Sequence, residues 1–285
     1  MSKTHPATRF AAPGNITKGQ PLKLLLNAEL AGLIGASFAQ VWDGFDDRGF
    51  VQRAQSGLEA MEMAERGRHM GDALAQALPA SFDEALPILL EALGPKIVKG
   101  QATGLSSFFY FPHSHYLKSR AQGADGDITP VMTACYELTQ RFTSEFCIRP
   151  LIERDAAGVL AVLETWARDP SEQVRRLVSE GTRPRLPWAT HLRVFIDNPR
   201  PMLPLLEVLK CDSSEYVRRS VANHMGDIAK DHLGLVLERC GTWLEESKEL
   251  ETQQAKELRW VIRHALRNPA KREDADTLVL RAAAK

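Results

Sequence analysis

Two acidic residues, Glu145 and Glu180, fall at equivalent positions of a repeated sequence pattern, and a third, Asp227, lies one helical turn after the equivalent position of the next copy. If the repeats stack, these side chains line up as a column on one surface. A row of carboxylates is costly unless it has a function or arginine partners. Carboxylates held in one place can stabilise a positive charge, and one of them can orient or deprotonate water. The sequence therefore predicts an acidic column that either performs such chemistry or is neutralised by arginine.

The repeat itself is visible when the chain is compared with itself. The pattern R-x-x-S-E occurs at 141–145 and 176–180, V-R-R occurs at 174–176 and 217–219, and a weaker copy follows at 259–264. Copies spaced by about 40 residues are typical of HEAT-type helix pairs, which stack into a solenoid because no single pair can bury its apolar face alone. In this register the column also contains Asn223 and His264.

Arginines concentrate beside the column. The segment 173–193 contains no lysine but five arginines, namely Arg175, Arg176, Arg183, Arg185 and Arg193. Two of them belong to the stretch R-P-R-L-P-W, which ends at Trp188. Prolines stiffen such a turn, so that the guanidinium groups can hold a phosphate backbone while the indole offers an aromatic face. Two alternatives stay open: V-R-R is an outer helix edge whose arginines pair with aspartates of the neighbouring repeat, and Trp188 is an ordinary core residue.

The remaining composition excludes several classes of protein. The chain has 285 residues with 36 basic and 36 acidic side chains, so its net charge is zero and it is not uniformly basic. The N-terminus lacks a signal peptide, and no apolar run is long enough for a transmembrane helix. Four dispersed cysteines and eight histidines show no metal-ligand spacing, so we expect reduced thiols, no metal and no cofactor.

Apolar residues at three- and four-residue steps predict helices nearly throughout, with no sheet. We expect a flexible segment at 1–20 and one repeat domain over 21–285. Glycines and prolines interrupt the helical pattern at 94–127, which predicts a loop-rich insertion that is either flexible or packed on a partner or ligand. Pro150 predicts a break between two helices.

Several segments resemble a known family. The closest motifs are those at 141–150, 174–189, 216–224 and 227–232, with weaker agreement at 21–23 and 64–69. Together they resemble the AlkC branch of the AlkD/AlkC alkylpurine DNA glycosylases, over about residues 20 to 268. The resemblance implies an all-α, HEAT-like helical-repeat solenoid with a concave DNA-binding face. Some members carry a C-terminal immunoglobulin-like domain, and the lack of a strand pattern predicts none here.

The resemblance further implies a base-excision repair enzyme for alkylation damage. Such enzymes excise cationic N-alkylated bases, 3-methyladenine and 3-methylcytosine, without flipping the base into a pocket. The family's functional positions fall on Glu145, Glu180, Trp188 and Asp227, with Arg176 near the lesion. Carboxylates would stabilise an oxocarbenium-like transition state, and Asp227 is the first candidate to position water. One departure is Met225-Gly226, where the family usually has Leu-Asn, which predicts a loosened helix before Asp227.

Partners follow from the same residues. Arg176, Arg183, Arg185, Arg218 and Arg219 are expected to hold phosphates of double-stranded DNA that contains alkylated bases, and Arg175 and Asn223 are also expected on the DNA-binding surface. We expect a monomer in the bacterial cytosol or nucleoid, without membrane contact. The alternative function is a non-catalytic HEAT-repeat protein that binds DNA or serves as a protein scaffold.

Overall fold

A computed structural model describes residues 4–98, 104–123 and 126–285 of the chain. Contacts divide it into two compact units, Met1–Leu151 and Ile152–Lys285, called here the first and second unit. All regular elements of the described residues are helices, which confirms the predicted all-α fold. The prediction of one domain over 21–285 stays a prediction. None of the helices in the described ranges is long and apolar enough to cross a membrane.

The first unit begins its α-helices after two 3-10 turns. Its helices are α1 Ala28–Ala39, α2 Asp47–Gln55, α3 Met63–Ala77, α4 Phe82–Ala92, α5 Phe111–Gly123 and α6 Thr129–Thr139, with α7 Glu145–Arg154 ending beyond Leu151. Helices α1 and α2 pack together, and α3 packs on α5. Fully buried side chains, including Phe38, Phe50, Phe109 and Tyr116, form the core. Burying each such side chain contributes roughly 1.5–3 kcal/mol.

Two predicted irregular segments are more ordered than their composition suggested. Within 94–127 the structure has a 3-10 turn, Ser106–Tyr110, followed by the 13-residue helix α5. Pro112 is compatible with α5 because it lies in the first helical turn, where a missing N–H is harmless. Part of the predicted insertion, 99–103 and 124–125, lies outside the described residues. Near the N-terminus, the ring of Phe10 is buried beside Phe109.

The prediction of a break at Pro150 is wrong, because this proline lies inside α7. The two copies of the R-x-x-S-E pattern also lie in different structural contexts. At 141–145 it covers the link before α7, whereas Arg176 and Glu180 both lie within α9. A five-residue match is too short to fix a helix register, and Arg141 instead donates a hydrogen bond to the Gly94 carbonyl.

The second unit is built from successive helix pairs. Its helices are α8 Ala156–Trp166, α9 Glu172–Gly181, α10 Arg193–Asp197, α11 Leu203–Leu209, α12 Glu215–Ile228, α13 Leu233–Glu246, α14 Thr252–Ala265, α15 Arg267–Lys271 and α16 Ala275–Ala283. Helix α9 packs on α12, and α12 packs on α14, while α11 and α13 flank them. Leu177, Val221 and Val261 are fully buried along this stack. The predicted helical repeat is thus confirmed, and it brings the last turns of α9 and α12 side by side.

Candidate active site

Glu180 lies in the last turn of α9 and is only 7% exposed. One carboxylate oxygen, Oε1, accepts a hydrogen bond from Arg183 Nη1 at 2.7 Å and lies 3.4 Å from Arg176 Nη2. The other oxygen, Oε2, accepts a hydrogen bond from the Ser220 hydroxyl of α12 at 2.7 Å. Helix α12 therefore fixes the orientation of an acid that α9 supplies.

Asp227 occupies the corresponding place in the last turn of α12 and is 4% exposed. Its Oδ2 accepts a hydrogen bond from Arg183 Nε at 2.8 Å, and its Oδ1 accepts one from Lys230 Nζ at 2.8 Å. Glu180 and Asp227, called here the acid pair, thus share the guanidinium of Arg183. All four oxygens of the acid pair accept a hydrogen bond from the protein.

The position of Arg183 differs from the role predicted for it. Its side chain is buried between the two carboxylates instead of lying on a surface where phosphates could reach it. Burial alone would lower the pKa of Arg183, but Glu180 and Asp227 raise it above its ordinary value. Burial likewise raises the pKa of Glu180, but the charges of Arg176 and Arg183 outweigh burial and lower it. Glu180 is therefore held ionised.

Arg176 is positioned by two contacts. Besides its ion pair with Glu180, its guanidinium carbon lies 5.1 Å from the centroid of the Tyr216 ring, a cation–π arrangement. Tyr216 belongs to the first turn of α12 and is partly exposed. Arg176 thus lies beside the acid pair, with its orientation set by the neighbouring repeat. Its place near the lesion stays a prediction.

Trp188 lies on the loop 182–192 that follows α9. Its side chain is 99% exposed, so the alternative of a core tryptophan is wrong. Its backbone is left-handed, with φ 63°, a conformation that costs a bulky residue of order 1–3 kcal/mol. The loop holds this conformation because Leu186 is buried and the Leu192 N–H donates to the Pro184 carbonyl. The fold therefore presents an indole to solvent on a strained but anchored turn.

Several other arginines predicted on the DNA-binding surface are paired within the protein. Arg175 makes a bidentate contact with Asp212 at 2.6 and 2.9 Å, and Arg218 donates to the Asp212 carbonyl. For Arg175 the structure matches the alternative of pairing with an aspartate of the next repeat, whereas the ion pair of Arg218 is with Glu257 of α14 at 3.2 Å. Arg185 pairs with Asp231 and remains partly exposed. The most exposed of the arginines predicted to bind phosphates is Arg219, and it pairs with Glu215.

Asn223 and His264 meet as their register predicted. The amide oxygen of Asn223 lies 3.1 Å from His264 Nε2 and accepts a hydrogen bond from Arg267 Nη2 at 2.9 Å. Burial, reinforced by the charges of Arg267 and Arg219, lowers the pKa of His264 to about 4. A neutral imidazole therefore stacks on the ring of Trp260 at 4.8 Å.

Glu145 is a buried residue at the start of α7, in the first unit. Its membership of the acidic column stays a prediction. Within the described ranges no group of three or more histidine, cysteine, aspartate or glutamate side chains could hold a metal ion.

Comparison with known proteins identifies the family. No protein-family model matches the chain. The uncharacterized protein YhaZ of Bacillus subtilis (strain 168) is 32% identical over 260 residues, which cover 91% of this chain and 67% of the relative. A solved structure, Pseudomonas fluorescens alkylpurine DNA glycosylase AlkC bound to DNA containing an abasic site analog, matches with a TM-score of 0.78 and 32% identity. That match covers 93% of this chain and 69% of the solved chain. The chain belongs to the AlkC family. Its enzyme class is therefore DNA glycosylase.

The departure from the AlkC family pattern at Met225-Gly226 does not loosen α12. The helix continues through Gly226 to Ile228, and Met225 is fully buried. A Cβ atom on Gly226 would lie 3.2 Å from the carbonyl oxygen of Ala265, at the end of α14. The glycine thus permits a close approach between α12 and α14. The predicted loosening was wrong because packing on α14 supports this turn.

Three residues of this AlkC family site were not predicted from the sequence: Ser220, Lys230 and Arg267. Lys230 lies three residues after Asp227, a spacing that places two side chains on one helical face. That spacing could have identified it. Ser220 contacts Glu180 from α12, and Arg267 contacts Asn223 from α15. Both contacts join different helices, so they depend on a repeat register that the sequence patterns fixed only approximately.

Proposed function

We propose that this AlkC family member hydrolyses the N-glycosidic bond of cationic N-alkylated bases in double-stranded DNA. The proposed substrates are 3-methyladenine and 3-methylcytosine, and the proposed setting is base excision repair. The observation that carries the proposal is the acid pair: Glu180 and Asp227 are both buried, and the guanidinium of Arg183 donates to each of them.

The chemistry suits such a site because a methylated ring nitrogen gives the base a positive charge. The bond from C1′ to the base breaks, its electron pair neutralises the departing base, and the deoxyribose acquires oxocarbenium character. Fixed carboxylates stabilise this developing charge. Water then adds to C1′ and its proton passes to a carboxylate, for which Asp227 is our candidate. Glu180 supports the charge.

The exposed Trp188 favours a reaction without base flipping. Enzymes that flip a base bind it in an enclosed pocket and incur the cost of unstacking it. An indole that is exposed to solvent can instead contact a sugar or a cationic base that stays in the duplex. A cation–π contact of this kind contributes roughly 0.5–2 kcal/mol and favours alkylated over neutral bases.

Binding to the DNA backbone is assigned to the more exposed arginines. Arg185 and Arg219 lie in ion pairs that are partly exposed, and such pairs are weak enough to open toward a phosphate. The solved relative from Pseudomonas fluorescens is bound to DNA that contains an abasic site analog. An abasic site is the product expected from the reaction proposed here.

The decisive experiment is to incubate the protein with a duplex that carries 3-methyladenine or 3-methylcytosine and to measure the free base by chromatography. Release of the methylated base, with an abasic site left in the strand, supports the proposal. The matched unmethylated duplex serves as the control and should release nothing. Tight DNA binding without any base release would favour the non-catalytic binder.

A further inference from the structure

Lys230, which contacts Asp227, is the most exposed of the cations around the acid pair. Of the three cations on the acid pair, Arg183 and Arg176 have side chains that are 9% and 15% exposed, whereas the Lys230 side chain is 39% exposed. The lysine lies just after α12 and ends in a compact ammonium on a flexible four-carbon stem. It can therefore move away from Oδ1 without repacking the core.

The presence of Lys230 opposes the reaction proposed above. The cluster contains two carboxylates and three cations, Arg176, Arg183 and Lys230, so its formal charge is positive. A positive cluster disfavours both a cationic base and an oxocarbenium-like sugar. When Lys230 moves away, two carboxylates and two guanidinium groups remain, and Oδ1 of Asp227 loses its hydrogen-bond donor. The reaction therefore requires that something draw this ammonium away.

A cleft of about 240 Å³ beside Lys230 provides a destination for the ammonium. The end of α12 and the segment around α15 form it, and its lining residues are Gly226, Ala229, Lys230, Asn268, Pro269, Lys271 and Arg272. Three of these are cations and none is acidic. Lys271 and Arg272 are exposed, and across the described ranges neither has an ion pair. A cleft with this set of donors fits an anion such as a phosphate.

We propose that the cleft binds a backbone phosphate of the DNA and that Lys230 transfers from Asp227 to this phosphate. The inference rests on the proposed function and adds a positioning step to it. Lys271 and Arg272 hold the phosphate, and Lys230 turns toward it and leaves Asp227 able to stabilise positive charge. Lys230 is thus a positioning residue whose movement makes the acid pair active only when a DNA strand is seated.

The test separates this transfer from ordinary DNA affinity. The variant Lys271→Ala/Arg272→Ala is assayed for release of the methylated base in single turnover, at DNA concentrations that saturate binding. Because Lys230 then stays on Asp227, the saturated rate should fall by about tenfold, or about 1.4 kcal/mol in activation free energy. Addition of Lys230→Met to this variant should restore most of the original rate, since the masking ammonium is gone.

The matched control is Lys248→Met, added to the same double variant. Lys248 also follows a helix end and pairs with an acid three residues earlier, Glu245, so it reproduces the local geometry away from the acid pair. It should restore nothing. Thermal melting confirms that each variant is folded.

Three results would overturn the transfer. The saturated rate could be unchanged in the double variant, Lys230→Met could fail to restore it, or Lys248→Met could restore it equally well. A wild-type protein that releases no methylated base overturns the proposed function and this inference together. Base release by the wild type without rescue by Lys230→Met overturns the transfer alone.

Discussion

Arg183 and Asp227 are 44 residues apart in the sequence, and Nε of the arginine donates to Oδ2 of the aspartate at 2.8 Å. The same guanidinium donates to Glu180 through Nη1. One buried cation therefore sets the separation and orientation of two acids that come from different repeats. This arrangement links the stability of the second unit to the geometry of the acid pair.

Replacement of Arg183 tests that link. Arg183→Met keeps much of the side-chain volume but leaves two buried carboxylates without their shared partner, so the free energy of unfolding should fall by about 3–5 kcal/mol. Urea denaturation followed by circular dichroism measures the change. The control is Arg219→Met, whose side chain is 59% exposed, and which should stay within about 0.5 kcal/mol of the wild type. Equal stabilities for the two variants would contradict the bridging role.

Asp227→Asn tests the chemical role of the acid pair. The amide keeps the shape of the side chain but removes the charge that stabilises the cationic sugar. The rate of base release should therefore fall by at least about 10²–10³-fold. DNA affinity, measured by fluorescence anisotropy, should not fall, because Asp227 contacts protein cations in the free protein. A wild-type rate in this variant would refute the assignment.

Trp188→Gly separates function from stability. Glycine adopts the left-handed conformation without strain, and the exposed indole makes little contribution to packing. The variant should be as stable as the wild type, or more stable by up to about 1 kcal/mol, while base release falls. Glu273→Gly is the matched backbone control, because Glu273 is the other non-glycine residue in the described ranges with positive φ, at 60°. A clear loss of stability on Trp188→Gly alone would show that the indole packs.

Apolar spacing predicts helices at 214–230 and 250–267, and the structure has Glu215–Ile228 and Thr252–Ala265 there. Apolar spacing works here because each helix buries one continuous face. It also predicts one at 187–197, where only Arg193–Asp197 is helical. The prediction of a helix break at Pro150 was wrong. A proline has no backbone N–H to donate, yet α7 continues through this residue.

The acidic residues of the site were predictable from the sequence, but the contacts that the arginine side chains make were not. Glu180 and Asp227 follow from repeat register and family resemblance. By contrast, Arg175 and Arg183 were assigned to the DNA-binding surface, and both contact carboxylates of the adjoining repeat. Whether an arginine faces solvent or the next helix depends on how two repeats are rotated against each other. That rotation is a property of tertiary packing, which no local sequence pattern records.

The acid dependence of stability should reveal the ionised state of Glu180. Burial opposes ionisation, but Arg176 and Arg183 lower the pKa of Glu180 below its ordinary value of 4.5. Its folded pKa is thus below its unfolded pKa, so its stabilising contribution is present above the unfolded value and is lost as the pH falls through the folded value. The difference in unfolding free energy between wild type and Glu180→Gln should therefore shrink from about pH 6 to about pH 3. Glu245→Gln, at an exposed acid, is the control, and a constant difference for Glu180→Gln would contradict the prediction.

Salt dependence distinguishes arginines that bind DNA from those that hold the fold. Arg185→Ala combined with Arg219→Ala should weaken binding to methylated and unmethylated duplexes alike, since interactions with phosphates do not read the base. The slope of log K against log salt should decrease in magnitude by about one unit for each phosphate that the variant no longer binds. Arg175→Ala should leave this slope unchanged and instead lower thermal stability, because its guanidinium is engaged by Asp212. An unchanged slope in the double variant would show that Arg185 and Arg219 serve only their ion pairs with Asp231 and Glu215.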